Sequence, residues 1–267
     1  MKIDTEKVSE IIAETAEREM MSRYKRLDPD SVRSKSAPTD LVTIVDEAME
    51  RDLRRALMDL TPGAAFVGEE SAAADPSITA EISRAERCWI VDPLDGTRNF
   101  VNHIDEFGTI VAYVERGAVA AAWIYAAPTR QIAVGVKGGG VTWDGERLTP
   151  KPFAGDPPKG WRSTGWLNES WRAHIVDNLK VKTASRAGHC AAYAYLQLIK
   201  GEVDFKLSSR IHAWDHAAGA MMAEELGGEA RWLENAKAYR PQESVDRPYL
   251  ATAPGRDWRS IAALILD

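Results

Sequence analysis

Two aspartates three residues apart stand at the centre of the segment WIVDPLDGTRNF, which runs from Trp89 to Phe100. The apolar, partly β-branched residues before Asp92 predict a short buried strand, and Pro93 and Gly96 predict that the strand breaks there. Asp, Pro and Gly are common turn residues, so one interpretation is a solvent-exposed surface turn. The other is a carboxylate pair at the carboxyl end of a strand, where α/β-type sheets bind ligands. The segment by itself does not separate the two interpretations.

Other acidic residues lie, like these two, at the edges of predicted elements beside small residues. The set comprises Glu69 in GEES, Asp92 and Asp95 in DPLDGT, and Asp215 in WDHAAG. Taken singly, Asp215 fits a helix cap and Glu69 fits a solvated strand end. Taken together, the carboxylates are the hard-oxygen ligands that Mg²⁺ requires, and two ions ~4 Å apart suit phosphoryl chemistry. Backbone N–H groups at Gly96-Thr97, opening a short helix, would add an anion site.

The elements that must position these side chains are a mixture of helices and strands. Apolar periodicity predicts helices over Thr5–Lys25, Asp46–Leu60, Cys190–Ile199 and Trp214–Leu226, and strands over Ala64–Ser71 and Val203–Leu207. Runs separated by turn signals predict an antiparallel meander over Thr109–Val141. Because no clean βαβ repeat is present, an α+β fold of layered elements is expected rather than a doubly wound parallel sheet.

A proline-rich segment, Lys151–Gly160, is the predicted boundary between two subdomains. Residues 1–150 would form an N-terminal α+β subdomain with the metal and phosphate motifs. Residues 151–267 would form a C-terminal α/β subdomain that supplies the last metal ligand and the substrate wall.

Composition narrows the class of protein. The chain has 267 residues, of which 45% are hydrophobic and 28% charged, so neither disorder nor a membrane protein is indicated. A formal net charge of −6 argues against nucleic-acid binding. No apolar run has membrane-spanning length, and no cationic start precedes an apolar signal core. A soluble cytoplasmic protein is therefore expected.

Side chains that often carry other chemistry have ordinary interpretations here. Cys88 and Cys190 form neither a zinc spacing nor a disulfide framework. His212 and His216 flank Asp215, and local hydrogen bonding is expected for them because imidazole is a poor partner for Mg²⁺.

The order of the motifs GEES, WIVDPLDGTRNF and WDHAAGAMMAEELGG resembles that of the inositol monophosphatase family of Mg²⁺-dependent phosphatases. The upstream segment KSAPTDLVTIVD is similar to the family's mobile loop and the strand after it, so the resemblance covers roughly residues 35–228. It implies a layered αβαβα sandwich of the inositol monophosphatase and fructose-1,6-bisphosphatase type, and a homodimer. It also implies inhibition by lithium at the second metal position.

The resemblance implies a ligand set for two or three Mg²⁺ ions per active site. Glu69 and Asp92, with the Leu94 carbonyl, would hold the first ion. Asp92, Asp95 and Asp215 would hold the second, with Asp92 bridging the two. Glu69 would share in a third, weaker site with the help of water.

The resemblance also assigns the phosphate and the attacking water. Gly96 and Thr97 would bind phosphate through their backbone N–H groups. Asp46 and the Thr97 hydroxyl would position and deprotonate the water, and Lys35 would help to organise the weak metal site from the mobile loop. The implied activity is phosphomonoester hydrolysis by metal-activated water.

A second phosphatase family shares some of these letters. Haloacid-dehalogenase-type phosphatases carry DxDGT, in which the first aspartate attacks phosphorus and forms an aspartyl phosphate. Here the spacing is DxxD, with a proline after the first aspartate. Residues two apart along a strand project to one side, whereas residues three apart around a turn do not, so this alternative is disfavoured.

Departures from the family pattern concern the substrate. Inositol-preferring members carry a glutamate seven residues before the last metal-binding aspartate, and Ser208 stands at that position here. In the family's Arg-x-x-Gly pattern, which begins at Arg186, His189 replaces the glycine. Arg186, His189 and Ser208, together with Asp95, are the predicted substrate-binding residues.

The predicted substrate is a small phosphorylated metabolite, with the identity of its alcohol open. Inositol monophosphate is the substrate that the resemblance implies, and the alternatives are 3′-phosphoadenosine 5′-phosphate, fructose 1,6-bisphosphate and histidinol phosphate. A different class of function, a regulatory protein that retains the fold without catalysis, would be favoured by loss of metal ligands. All four carboxylates are present.

Overall fold

A computed structural model describes residues 3–28, 32–34, 41–151, 156–243 and 245–267 of the chain. The strands are β1 (Val32–Ser34), β2 (Leu41–Thr43), β3 (Ala65–Gly68), β4 (Arg87–Asp95), β5 (Gly108–Glu115), β6 (Ala118–Ala126), β7 (Gln131–Val136), β8 (Gly140–Trp143), β9 (Glu146–Arg147), β10 (Lys159–Ser163), β11 (Ala184–Ala187), β12 (Phe205–Ser208), β13 (Ala230–Trp232) and β14 (Tyr249–Thr252). The α-helices are α1 (Thr5–Thr15), α2 (Ile44–Leu60), α3 (Glu69–Ala74), α4 (Glu81–Arg84), α5 (Thr97–Val101), α6 (Glu169–Lys182), α7 (Ala191–Ile199), α8 (Ala213–Glu225) and α9 (Trp258–Leu266). A π-helical turn, Ala16–Met21, continues α1, and a 3₁₀ turn spans Pro76–Ala80.

Two sheets form the framework. The larger has seven strands in the order β3-β4-β5-β6-β7-β8-β9, and the smaller has five in the order β11-β10-β12-β14-β13. The strands β5 to β8 pair antiparallel in sequence order, which confirms the predicted meander. The strands β3 and β4 are parallel, so the residues that follow β3 and the end of β4 emerge at the same edge of the large sheet.

Alternating residues of the strands enter different hydrophobic cores. One face of the large sheet packs on α1 and α2 through Ile12, Met49, Trp89, Val91 and Tyr113. The other face packs on α7, α8 and the small sheet through Ile90, Ile110, Tyr195, Met222 and Tyr249. The far face of the small sheet packs on α6 and α9 through Leu179, Phe205, Leu250 and Ile265. The layers therefore run helix, sheet, helix, sheet, helix, which confirms the predicted αβαβα fold class.

Helix α2 carries its own start signal. Thr43 Oγ1 accepts a hydrogen bond from Val45 N at 3.0 Å, and Asp46 Oδ2 accepts one from Thr43 N at 2.8 Å. This reciprocal capping box satisfies backbone N–H groups that a helix start leaves without partners. The helix begins at Ile44, two residues before the predicted start.

The first predicted helix, Thr5–Lys25, is too long at its carboxyl end. The helical backbone ends at Met21, and Lys25 has a φ of +62°, which a right-handed helix cannot contain.

Two predicted strand boundaries are also wrong, and both lie at the candidate site. The predicted strand Ala64–Ser71 ends at Gly68, and Glu69 begins α3. Glu50 of α2 causes this change, because its buried carboxylate accepts hydrogen bonds from the backbone N–H groups of Glu70 (2.7 Å) and Ser71 (2.9 Å). A Cβ on Gly68 would lie 2.3 Å from that carboxylate, so any other residue there would require Glu50 to move.

The segment after Val91 does not break the strand as predicted. Strand β4 continues to Asp95, and three residue steps on β4 from Asp92 to Asp95 oppose two steps on β5 from Ile110 to Gly108. The extra residue makes a β-bulge between Asp92 and Asp95, a stretch that contains Pro93, which has no N–H to donate to the ladder. The bulge accommodates the proline, and β4 remains paired with β5 on both sides of it.

The division at residue 150 stays a prediction. The large sheet draws its strands from residues 65–147 and the small sheet from residues 159–252. Residues 152–155 of the predicted boundary segment lie outside the described residues. No helix in the described ranges combines the length and apolar composition needed to cross a bilayer.

Candidate metal and phosphate site

A cavity of 1240 Å³ opens where β4, β10 and β12 meet the first turns of α5, α7 and α8. This volume lies above the ~300–1,000 Å³ typical of small-molecule sites. Its lining includes Glu69, Asp92, Asp95 and Asp215, the four carboxylates singled out in the sequence. Parallel pairing of β3 and β4 brings Glu69 beside Asp92, since Gly68 is paired with Val91. Three separate segments, α3, β4 and α8, thus contribute acidic side chains to one cavity.

Three of these carboxylates form a compact cluster. Asp92, Asp95 and Asp215 each offer an oxygen, and the three oxygens lie within 4.8 Å of one another. Asp215 occupies the first turn of α8 but does not cap it, because the N-cap residue is His212. Glu69 lies outside this triad, and its charge nevertheless acts on Asp92.

Burial and mutual repulsion disfavour ionisation of the cluster. Asp92 is 1% exposed, and burial, followed by the charges of Glu69 and Asp95, raises its pKa well above the usual range. Burial and the same two neighbours raise the pKa of Asp215 to about 7. The Oδ1 atom of Asp92 is buried without a hydrogen-bond partner in the described part of the chain.

A divalent cation fits this donor set. Buried carboxylates that repel one another and retain an unsatisfied oxygen need positive charge, and hard oxygen ligands select Mg²⁺, Ca²⁺ or Mn²⁺ over softer metals. The backbone supplies a further oxygen at Leu94, which lines the same cavity.

Asp95 is anchored from the opposite layer. Its Oδ2 accepts hydrogen bonds from Ala192 N at 2.5 Å and from Cys190 Sγ at 2.9 Å, both at the start of α7. Burial raises the pKa of Asp95, while these donors at Cys190 and Ala192 lower it. Burial and the charge of Asp95 raise the pKa of the Cys190 thiol, which therefore donates as S–H. With Oδ2 held in this way, Oδ1 of Asp95 is the oxygen left for the cluster.

The turn after Asp95 has the geometry of an anion cradle. Gly96 has a φ of +87°, a left-handed conformation that favours glycine, and it caps the first turn of α5. A Cβ there would lie 3.0 Å from the Glu106 carbonyl oxygen. Gly96 and Thr97 both line the cavity, so the predicted phosphate-binding residues face the acidic cluster.

Asp46 and Thr97 are in contact across the layers. The Thr97 hydroxyl lies 3.0 Å from Asp46 Oδ1 and 3.0 Å from the Leu94 carbonyl oxygen, and its single proton is donated to one of these two acceptors. Asp46 is fully buried in the first turn of α2, where its Oδ2 also accepts from Thr43 Oγ1 at 2.6 Å. Lys35, the other predicted catalytic residue, lies outside the described residues.

The predicted substrate-binding residues divide into two groups. Ser208 and His189 line the cavity, Ser208 buried on β12 and His189 exposed before α7. Burial and Arg98 lower the pKa of His189. Arg186 does not line the cavity, and its guanidinium stacks on the ring of Trp161, which does line it, at 3.8 Å from the centroid.

Sequence reasoning did not find the buried polar network behind this wall. Lys206 Nζ donates to Ser208 Oγ at 2.7 Å and lies 3.5 Å from His216 Nδ1. Tyr195 Oη lies 2.9 Å from the same imidazole nitrogen and 2.9 Å from Tyr249 Oη. His216 is therefore hydrogen-bonded, but its partner Tyr195 lies 21 residues away in the chain and is not local. The period of β12 places Lys206 and Ser208 on one face, but that pattern does not reveal that the lysine is buried.

Comparison with known proteins gives one family. The model described as the inositol monophosphatase family matches residues 2–246. The fructose-1,6-bisphosphatase/inositol-1-monophosphatase of Thermotoga maritima is 30% identical over 210 residues, covering 78% of this chain and 77% of that protein.

Two solved structures show the same fold. The Staphylococcal inositol monophosphatase-1, soaked in 100 mM LiCl and described as an inhibitory complex, has a TM-score of 0.81 at 18% identity, covering 99% of this chain and 96% of that chain. An IMPase/NADP phosphatase complexed with Mg²⁺ and phosphate has a TM-score of 0.75 at 21% identity, covering 94% and 95%.

Proposed function

Because the chain belongs to the inositol monophosphatase family, we propose that it is a Mg²⁺-dependent phosphomonoesterase acting on a small phosphorylated metabolite. One observation carries the proposal. The carboxylates of Asp92, Asp95 and Asp215 converge within 4.8 Å, in a cavity that also contains the Gly96-Thr97 turn.

The acidic residues would hold the metal. Glu69, Asp92, Asp95 and Asp215 would supply carboxylate oxygens, and Leu94 would supply its carbonyl oxygen. When bound, Mg²⁺ supplies positive charge that activates water and stabilises the phosphoryl oxygens and the departing alkoxide. The unpartnered Oδ1 of Asp92 and the raised pKa values of Asp92 and Asp215 support this assignment.

Residues at the head of α5 would bind phosphate and orient the attacking water. Gly96 and Thr97 line the cavity, and their backbone N–H groups would donate to phosphoryl oxygens. The Thr97 hydroxyl would accept a hydrogen bond from the water while donating to Asp46 Oδ1, which is already 3.0 Å away. Asp46 is then the base that receives a proton by way of Thr97.

The reaction would be a direct displacement. The water oxygen forms a bond to phosphorus as the bond from phosphorus to the ester oxygen breaks, and the alkoxide leaves on the opposite side. One water proton passes towards Asp46, and the alkoxide takes up a proton to become the alcohol. No phosphoryl-enzyme intermediate is needed.

The alcohol side of the cavity supports a substrate with a second anionic group. Ser208 replaces the glutamate of inositol-preferring members, and Lys206 and Arg210 line the cavity beside it. A wall that has lost a carboxylate and presents cations should prefer anionic substituents over neutral hydroxyls. Fructose 1,6-bisphosphate and 3′-phosphoadenosine 5′-phosphate meet this requirement, and the T. maritima relative's name joins fructose-1,6-bisphosphatase and inositol monophosphatase activities. Histidinol phosphate, which bears a cation, is disfavoured.

The remaining parts of the proposal, a homodimer and a cytoplasmic location, come from the family resemblance and from composition. Light scattering would test the first and fractionation the second. A protein that keeps the fold without catalysis is the alternative class, and the complete ligand set argues against it.

Phosphate release with Mg²⁺ over a panel of phosphomonoesters tests the function. We expect turnover that chelator abolishes and Mg²⁺ restores. In ¹⁸O-water, single-turnover hydrolysis should place the label in phosphate. Label in the Asp92 or Asp95 carboxylate would instead indicate an aspartyl phosphate, and no turnover of any ester would leave the non-catalytic alternative.

A further inference from the structure

A buried lysine lies beside the acidic cluster, and the bond-making and proton-transfer steps proposed above do not use it. Lys206 is 5% exposed and lines the same cavity as Asp95 and Asp215. Its described partners are neutral: the Ser208 hydroxyl at 2.7 Å, His216 Nδ1 at 3.5 Å and the Tyr195 ring, whose centroid is 4.8 Å from Nζ. A buried ammonium is costly unless negative charge compensates it, and these partners carry none.

The negative charge comes from the cluster itself. Burial lowers the pKa of Lys206 to about 8, and the Asp215 and Asp95 carboxylates oppose that shift. The effect is mutual, because Lys206 lowers the pKa of both carboxylates. Asp215 directly precedes His216, whose ring lies beside the ammonium.

The backbone of Lys206 is constrained by neighbouring strands on both sides, so the side chain cannot readily move away from the cluster. Strand β12 is an interior strand of the small sheet, and Lys206 is paired with Trp161 of β10 on one side and Ala251 of β14 on the other. The side chain is confined between this sheet and α8. The Lys206 amine is therefore held in place beside the cluster by its contacts with Ser208, His216 and Tyr195.

We propose that Lys206 is a built-in cation of this site. Its ammonium interacts with the carboxylates of Asp95 and Asp215, which would also bind the divalent ion, and it therefore weakens binding of the ion at these two residues. The inference rests on the metal site of the proposed function. Two positive charges near the same carboxylates, of which Asp95 is buried and Asp215 partly buried, repel each other more strongly than they would in bulk water. The lysine would reduce the repulsion among the carboxylates when no metal is bound, and it would lower their affinity for the ion.

Calorimetric titration of Mn²⁺ into chelator-treated protein at one neutral pH tests this without substrate. Lys206→Met is expected to bind the ion about ten- to hundredfold more tightly than the unaltered protein on the Asp95 and Asp215 side. Lys206→Arg retains the charge and is expected to stay near the unaltered affinity. Lys200→Met is the matched control, because Lys200 pairs with Glu202 and lies over Trp143, away from the cavity.

Thermal unfolding gives a second readout if Lys206→Met is unfolded in chelator. The rise in Tm on adding Mn²⁺ is expected to be larger in Lys206→Met than in the unaltered protein, because the ion relieves more repulsion there. Affinity in Lys206→Met that is equal to or weaker than in Lys200→Met, or an equal rise in Tm, overturns the inference. Failure of the unaltered protein to bind any ion is a separate result, which overturns the metal site itself.

Discussion

Two walls of the cavity are built differently: backbone conformation shapes one of them, and side chains shape the other. The phosphate wall, residues 92–97, consists of the bulged end of β4 and the left-handed turn at Gly96, with Asp95 tied to the first turn of α7. The substrate wall, residues 206–210, begins in the short strand β12 and continues beyond its end at Ser208. Within the strand, Lys206 Nζ donates a hydrogen bond to Ser208 Oγ. A site built in this way can change its substrate wall while the chemistry of the phosphate wall stays fixed.

If the phosphate wall performs the chemistry and the substrate wall selects the alcohol, a substitution of a metal ligand in the phosphate wall should abolish turnover of every substrate. Asp92→Asn removes a buried charge from the centre of the cluster, and we expect kcat to fall by about 10³-fold or more. Asp105→Asn, the same change at an exposed carboxylate paired with Lys25, is the control and should leave kcat near the unaltered value. Steady-state phosphate release measures both. Near-normal activity in Asp92→Asn would remove the metal cluster from the mechanism.

The next effect isolates the hydroxyl on the same wall. Thr97→Val keeps the volume of the side chain and deletes the hydrogen bond to Asp46, and we expect kcat to fall by about 10²-fold, the lower end for a proton-transfer group. Thr97→Ser retains the hydroxyl and should recover most of the activity. If Thr97→Val and Thr97→Ser have the same kcat, Asp46 does not act through this residue.

A change on the substrate wall should alter selection instead of the chemistry. Ser208→Glu restores the acceptor of inositol-preferring members, and a charge-assisted hydrogen bond is worth roughly 1.5–3 kcal/mol. We therefore expect the ratio of kcat/KM for inositol 1-phosphate to that for fructose 1,6-bisphosphate to rise by about one to two powers of ten. A wide preference for inositol 1-phosphate in the unaltered protein would contradict this view of the wall.

The smallest expected effect concerns stability without metal. Between pH 3.8 and about 7 the folded protein binds more protons at Asp215 than the unfolded chain does, because folding raises the pKa of this group. Stability in chelator should therefore fall as pH rises through that window, and fall less in Asp215→Asn. The difference in Tm between the two proteins should change with pH by on the order of a few degrees. The opposing titration of His216 is present in both proteins, so parallel Tm profiles would show that Asp215 is not destabilised by its neighbours.

The sequence predicts the phosphate wall better than the substrate wall for a physical reason. Asp92, Asp95, Gly96 and Thr97 form one continuous segment, so a short motif contains most of the local geometry. The pattern of helices and strands predicts layered α and β elements, and the family resemblance implies their αβαβα order. The strand boundaries at Gly68 and Val91 were wrong because Glu50 caps α3 from another helix and because a bulge accommodates Pro93. Neither contact is local in the chain.

The substrate wall depends on partners distant in sequence. Lys206 lies beside His216 and Tyr195, and Arg186 stacks on Trp161, a residue that lines the cavity. Period-two alternation correctly places Lys206 with Ser208, but only tertiary packing determines that this lysine is enclosed. The prediction that Arg186 contacts substrate rests on its place in the family pattern, and it stays a prediction.

Helix α2 connects two halves of the site that sequence motifs treat as separate. Asp46 in its first turn touches Thr97, and Glu50, one turn later, fixes the start of α3 and therefore Glu69. During evolution, the residues proposed to orient the water (Asp46 and Thr97) and the proposed metal ligand Glu69 should therefore change position together, because α2 contacts both. A substitution that slides α2 along the sheet would displace both together, so compensating changes should arise in pairs, at the Thr97 turn and at the Gly68–Ser71 segment.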